Sequence, residues 1–415
     1  MNANRVPKCL LISDMKLDGL AEAMSYTAGS IVEPILLPPG DLETLINNND
    51  YWQYQPDFAF VWARPDEAIP SFSAACHGEQ TTIEMIREDV ASFTAHILKA
   101  ADKVGKALIV CSWTLPYFRP GIGINEFSIN EGIAYRLRLM DLILADSFSN
   151  CHNIILRDAS RWLAACGQTS VTAESVYTSN YYSQAVFNEA SRDITGTING
   201  LMGKSKKVIL VDLDNTVWGG TVGETGVEGL IIGGDSTVGR AFADFQYVLK
   251  ELTKRGIIIG IISRNTESIA LKAIDEHPNM ILRRDDFVGW RINWGDKAEN
   301  IISLMNELNL GLDSAVFIDD HPAERDRVRK ALPELLVPEL PEDPRLYVNC
   351  IRQLMCFDNP FLTQEDRIRT KLYVDERNRQ EIRNQAQSAD DWLESIGTRV
   401  VISQVTEDDL PRVVQ

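Results

Sequence analysis

No stretch of eighteen apolar residues occurs in this chain, so it offers no segment that would cross a bilayer as a helix. Its first residues show no charged-then-apolar leader pattern. The seven cysteines are an odd, scattered set without one Cys-x-x-Cys pair, which argues against a zinc site or a disulfide framework. A reduced, cytoplasmic setting is therefore expected, with no membrane partner. Basic charge is also scarce: 41 Lys and Arg stand against 59 Asp and Glu, a net of −18. There is no basic stripe interleaved with aromatics, so a nucleic-acid partner is not expected. What is present is core-forming material, 45% hydrophobic and 8% aromatic, over 415 residues, enough for two or three domains.

The run Val208-Ile209-Leu210-Val211-Asp212-Leu213-Asp214-Asn215-Thr216 is the most informative stretch. Four continuous apolar residues suit a strand covered on both faces. In an open α/β sheet the carboxyl ends of the strands are where ligands sit, and there this strand delivers two aspartates. Carboxylates converging on one point repel unless a divalent cation or a proton lies between them. The pattern suits a Mg²⁺ site for phosphate chemistry with one carboxylate as nucleophile. Taken alone it also fits a strand end capped by solvated aspartates.

Three later segments repeat the logic. Gly256 to Asn265 is a hydrophobic strand that ends in Ser263, Arg264 and Asn265, a hydroxyl, a cation and an amide suited to phosphoryl oxygens. Asn293-Trp294-Gly295-Asp296-Lys297 sets a lone Lys before the amphipathic run Ile301, Ile302, Leu304, Met305, Leu308. A cation at a helix start opposes the helix dipole, so Lys297 is expected to serve an anion. Ser314 to Asp320 is a further strand that ends in Asp319 and Asp320.

The order Asp-x-Asp-x-Thr, strand-Ser, Lys, strand-Asp-Asp resembles the haloacid dehalogenase (HAD) superfamily of phosphotransferases. Asp212 to Gly220, His277 to Arg283, Asn293-Trp294, Phe317 to Arg325 and Pro338 to Pro344 resemble its FkbH-like branch, of the capless kind. The likeness is dense from about 205 to 345 and looser beyond. It implies a doubly wound parallel sheet, with Asp212 attacking phosphorus to form an aspartyl phosphate. Asp214 would act as general acid, then base, and lend Mg²⁺ its backbone carbonyl. Ser263 and Lys297 would hold the phosphoryl oxygens, beside Arg264 and Asn265. Asp319 would ligate Mg²⁺ directly, with Asp320 acting through water. The metal set is then Asp212, Asp214, Asp319 and Asp320. The resemblance further implies use of D-1,3-bisphosphoglycerate, loss of phosphate, and transfer of a glyceryl unit to the phosphopantetheine thiol of an acyl carrier protein in polyketide-type biosynthesis.

The chain departs from that branch at two places. Ile262 stands where the branch usually has Cys, so an acyl-thioester step there would need another thiol. His321 stands where Asn is usual, and it could bond a metal carboxylate or be structural. The glycine-rich stretch Trp218 to about Asp235 has room for a β-hairpin flap, and 264 to 296 for one helix and one short strand. The site should be open from above, as docking of a macromolecular arm would require. An acidic carrier would need a local basic patch; the candidates are Arg283-Arg284 and Arg325, Arg327, Arg329, Lys330, which also read as solvated helix faces.

Residues 1–200 read as a second α/β domain. Strands are expected at Lys8 to Ser13, Ile31 to Leu37, Phe58 to Trp62, Ala107 to Ser112 and Met140 to Ala145, with helices near Leu17 to Tyr26 and Thr82 to Val104. FkbH-like chains often carry an SGNH-like domain here. Ser13-Asp14 follows the first strand, but no Gly-Asp-Ser signature or Asp-x-x-His pair accompanies it, so a structural or docking role is expected. Cys111 at a strand end is either a substitute thiol or a small buried hydrophobe. Tyr177, Tyr181 and Tyr182 read as core or interface. Residues 205–345 read as the catalytic domain and 346–415 as a helical tail: a Cys-containing helix after Pro344, a charged helix from Thr363, a cap at Ser388, and a strand at Val400 to Val405 opening an acetyltransferase-like unit. Three functions compete: the glyceryl transferase, a plain phosphatase of a small sugar or acyl phosphate, and a non-catalytic scaffold.

Overall fold

The computed structural model describes residues 5–27, 31–116, 123–129, 131–171, 181–359 and 363–385. They form two compact α/β units. One takes in the chain up to Ser205 and returns for the segment beginning at Gln353; the other takes in Lys206–Arg352 and the helix Gln364–Gln385.

The first unit is built on a wholly parallel sheet. Its strands are β1 (Lys8–Ser13), β2 (Glu33–Leu36), β3 (Phe58–Trp62), β4 (Ala107–Cys111) and β5 (Ile154–Arg157), in the order β2-β1-β3-β4-β5. Alternate residues feed two separate cores: Leu10, Ile12, Val61 and Val110 line one face, and Cys9, Leu11, Phe60 and Cys111 the other. Cys111 is thus a core side chain, and burial pushes its thiol pKa well up. Tyr182 is core too, stacked on Trp62 with centroids 4.7 Å apart. Tyr177 lies outside the described residues.

The strand expected at Met140 to Ala145 is instead part of the helix Ile133–Phe148. Ile133, Leu137, Met140, Leu144 and Phe148 are buried at spacings of three and four, a helical period that a six-residue window does not display. The unit's fifth strand comes later, at Ile154–Arg157.

The second unit has strands β6 (Val208–Val211), β7 (Ile258–Ser263), β8 (Phe287–Ile292) and β9 (Ala315–Ile318), all parallel, in the order β8-β7-β6-β9. All four residues of β6 are buried; each such side chain contributes about 1.5–3 kcal/mol through removal from water. Chain direction across the sheet reverses at β6, which has β7 on one side and β9 on the other. A parallel sheet opens its binding crevice at such a reversal.

Between β6 and β7 lie only a short flap and the amphipathic helix Thr237–Thr253, capped by Ser236. The flap is not the β-hairpin expected. One antiparallel bridge, Gly219 to Ile231, closes it, and its middle is the helical turn Val222–Thr225. Glycines at 220 and 226, with φ of 95° and 70°, turn the backbone away from strand geometry. Between β7 and β9 come the helices Glu267–Glu276 and Lys297–Glu307 and strand β8, without a cap domain among the described residues.

The helix Tyr347–Gln353 carries Cys350, and the charged run forms the helix Gln364–Gln385, started by reciprocal Thr363–Asp366 bonds. Ser388 and Val400 to Val405 lie outside the described residues. No described helix is long and apolar enough to cross a membrane.

Candidate active site

The β6 ladder runs one residue past the strand, with Asp212 N–H donating to Ile318 O at 2.9 Å. This registers Asp212 beside the end of β9, where Asp319 follows. Ligand oxygens of Asp212, Asp319 and Asp320 lie within 4.8 Å of one another. Lys297, first residue of its helix, reaches into this group. Its Nζ is 2.6 Å from Asp319 Oδ2 and 3.2 Å from Asp212 Oδ1, and the side chain is buried. The ammonium that defies the helix dipole therefore answers two carboxylates, while Asp296 caps the helix through Ala298 and Glu299 N–H.

Three carboxylates and one ammonium leave this cluster with excess negative charge. Burial pushes the Asp212 carboxyl up to about 6; Lys297 resists the shift and the Asp319 charge adds to it. Burial also raises Asp320, and the Asp319 charge adds to it. Burial alone would lower Lys297, yet Asp212 and Asp319 hold it above its usual value, so it stays charged. Asp212 Oδ1 is buried and accepts no hydrogen bond, its counter-charge being Lys297 alone. An orphaned buried oxygen beside two more carboxylates is the donor set a hard divalent cation takes.

Ser263, at the tip of β7, is buried, and its hydroxyl acts on Asp212 to favour the charged carboxylate. Its carbonyl accepts from Asn293 N–H at 3.1 Å, which ties the loop before Lys297 to the same strand end. Ile262 points the other way, into the cluster with Leu304 and Phe317.

The side chain of Asp214 stands apart from the three-carboxylate group. Oδ1 accepts from Trp218 Nε1 at 2.8 Å and Val222 N–H at 3.1 Å; Oδ2 accepts from Asn265 Nδ2 at 2.9 Å. The Asn265 amide thus reaches Asp214, and Arg264 pairs with Glu324 at 2.6 Å. Neither contact is with the carboxylates that could hold a metal.

Several further residues hold the site together, in contacts the sequence did not assign. Thr216, fully buried, accepts from Asp320 N–H at 3.0 Å and joins the two acidic turns. Arg325 is buried and donates through Nη1 to the carbonyls of Asp319 at 2.8 Å and Asp320 at 2.7 Å, with Glu339 balancing its charge. His321 contributes its backbone N–H, 2.8 Å from Asp319 Oδ1, while its side chain is exposed. Asn215, in left-handed backbone at φ 55°, accepts at its carbonyl from Tyr347 hydroxyl at 3.0 Å. The Trp-Gly-Gly motif has a steric reason as well: a Cβ on Gly219 would meet Phe242 at 2.8 Å.

The candidate basic patch is already paired. Arg327 binds Asp296, Arg329 and Arg325 bind Glu339, Lys330 binds Asp326, and Arg284 binds Asp275. Arg283 donates to the carbonyls of Ile274, Asp275 and His277. In the first unit, Ser13 Oγ donates to Trp62 O at 2.6 Å and Asp14 pairs with Arg64 at 2.6 Å.

No family model matches the chain, and no curated protein matches it in sequence. Among solved structures, it is similar to the N-terminal part of the protein BF1531 from Bacteroides fragilis, which contains a phosphatase domain and was crystallised with Mg. The TM-score is 0.76 at 27% identity, over 86% of this chain and 95% of that one. The fold is HAD-like. The similarity supports a HAD-type phosphatase, an enzyme with phosphatase activity, and agrees with an acidic cluster able to hold a metal.

Proposed function

We propose that this chain is a Mg²⁺-dependent phosphatase that passes a phosphoryl group through Asp212. The observation that carries the reading is the buried convergence of Asp212 and Asp319, from the ends of adjacent strands, on Lys297 at a helix start. Mg²⁺ would be held by Asp212, Asp319 and Asp320 with the Asp214 carbonyl, and would neutralise charge developing on the phosphoryl oxygens. Asp212 attacks phosphorus while the bond from phosphorus to the leaving oxygen breaks, and Asp214 hands that oxygen a proton. Asp214 then takes a proton from water as the water oxygen attacks phosphorus and frees Asp212. Lys297 and the Ser263 hydroxyl hold the phosphoryl oxygens throughout. A scaffold would gain nothing from burying a Lys between two carboxylates.

The finer reading is that the substrate is D-1,3-bisphosphoglycerate and that a glyceryl unit passes to an acyl carrier protein thiol. The FkbH-like motifs and the absence of a cap domain among the described residues support it. An acyl-enzyme at position 262 has no support, since that side chain belongs to the apolar core. The carrier thiol would attack the acyl phosphate carbon directly, giving up its proton to solvent and expelling the 1-phosphate, while the ester phosphate is removed through Asp212. Incubation with 1,3-bisphosphoglycerate, Mg²⁺ and a carrier protein, followed by weighing the carrier by mass spectrometry, separates the readings. A glyceryl adduct supports transfer. Phosphate release without an adduct leaves a plain phosphatase of a small sugar or acyl phosphate, and no release under any Mg²⁺ condition rejects the enzyme.

A further inference from the structure

The first motif places an indole against the carboxylate that must move a proton. Trp218 is fully buried, four residues after Asp214, and bridged to it through the backbone as well. A carboxylate oxygen has two lone-pair positions in the carboxylate plane. On Asp214 Oδ1 both are taken, by Trp218 Nε1 at 2.8 Å and Val222 N–H at 3.1 Å. On Oδ2 one is taken, by Asn265 Nδ2 at 2.9 Å. We infer that Trp218 is a positioning residue: by closing Oδ1 it leaves Oδ2 as the single atom through which Asp214 gives a proton to the leaving group. The inference rests on the phosphatase reading and adds to it the reason for the Trp in Trp-Gly-Gly.

The donors come from separate pieces of chain. Trp218 and Val222 belong to the flap, and Asn265 follows β7. Each removes one freedom of the carboxylate: the flap donors fix which oxygen is passive, and the amide fixes the torsion about the Cβ–Cγ bond. Without the indole, Oδ1 regains an open lone pair, and a proton resting there faces the flap instead of the substrate. The cost should then depend on how much the leaving oxygen needs a proton. An aryloxide with a good leaving tendency departs nearly unaided, whereas an alkoxide does not.

The test compares Trp218→Phe with the unaltered chain on p-nitrophenyl phosphate and on an alkyl phosphate. The expected result is that kcat on the alkyl ester falls about tenfold further than on the aryl ester, with KM little changed, a part of the gain general acid catalysis supplies. Both substrates are measured on one preparation, so the folded fraction cancels. In an Asp214→Asn background the same substitution should have no substrate-selective effect. If Trp218→Phe does not fold, Val222→Pro removes the other Oδ1 donor at a first helical position that accepts proline, and the same selectivity is expected. Equal losses on both esters, or a selective loss that persists in Asp214→Asn, would overturn the inference. An unaltered chain that releases phosphate from neither ester overturns the phosphatase reading itself.

Discussion

β1 and β6 each carry a buried strand into an aspartate, Asp14 in one unit and Asp212 in the other. Each has a neighbouring parallel strand whose end supplies a charged partner. After β3 the partner is Arg64, whose N–H and Nε bond Asp14 at 2.9 and 2.6 Å. After β9 it is a second carboxylate, Asp319, so one ammonium must serve both. In the first arrangement one buried anion meets one cation, whose Nη2 turns to the exposed Glu67 at 3.1 Å, and Ser13 beside it is tied to a carbonyl. The second is left short of positive charge among carboxylates that burial largely removes from solvent. The same strand-end geometry gives a structural pin when its charges balance and, when they do not, a cluster able to hold a metal, which we propose also takes phosphate.

That contrast can be broken most severely at the nucleophile. Asp212→Asn should reduce Mg²⁺-dependent phosphate release by on the order of 10⁴-fold, while Asp14→Asn leaves turnover per folded molecule unchanged; steady-state assays of both variants check it. Lys297→Met should destabilise the metal-free protein by about 3–5 kcal/mol, because buried carboxylates lose their counter-charge. Mg²⁺ should return part of that stability, as urea unfolding with and without chelator would reveal. Asp14→Asn should cost about 1–2 kcal/mol, because Arg64 then keeps only Glu67 as a charged partner, with no recovery on adding Mg²⁺.

A smaller effect concerns pH. Asp212 titrates near 6 in the metal-free fold against an ordinary value of 3.8, so between those values the folded chain binds a proton the unfolded chain releases. Metal-free stability from this group therefore falls as pH rises through that window. Mg²⁺ must displace the same proton, and its affinity should weaken about tenfold for each unit below that pKa. Calorimetric titration one unit above and one unit below the pKa measures this; an unchanged dissociation constant would remove Asp212 from the metal set. The smallest effect is expected from Tyr347→Phe, about 1 kcal/mol for its bond to the Asn215 carbonyl, read by thermal unfolding.

The strand ends were legible because both parts of the signal are local: a run of apolar residues, then a carboxylate. β1, Lys8–Ser13 before Asp14, matches its expected bounds for that reason, and Lys297 was legible from its conflict with the helix dipole. What joins the strand ends was not. Thr216 meets Asp320 across 104 positions, and Tyr347 meets Asn215 across 132. Such pairs leave no spacing to read. The arginines after β9 show the same gap, since their sequence displays charge but not the carboxylates and carbonyls that occupy them. Asp214 is the subtler case. Its place in the motif was plain, but not that its carboxylate is enclosed by three donors while its neighbour Asp212 keeps an oxygen met only by the Lys297 charge.

Gln246 decides how the flap can behave. It is completely buried, and its amide holds Val217 O at 2.9 Å while its carbonyl takes Ile281 and Leu282 N–H at 2.9 and 3.1 Å. One side chain therefore clamps the root of the flap to the segment leading into β8. Beyond that clamp Gly219 pairs with Ile231 through both backbone groups and Gly220 N–H bonds Asn215 Oδ1 at 2.9 Å, so the flap keeps Val222 against Asp214 as a fixed wall.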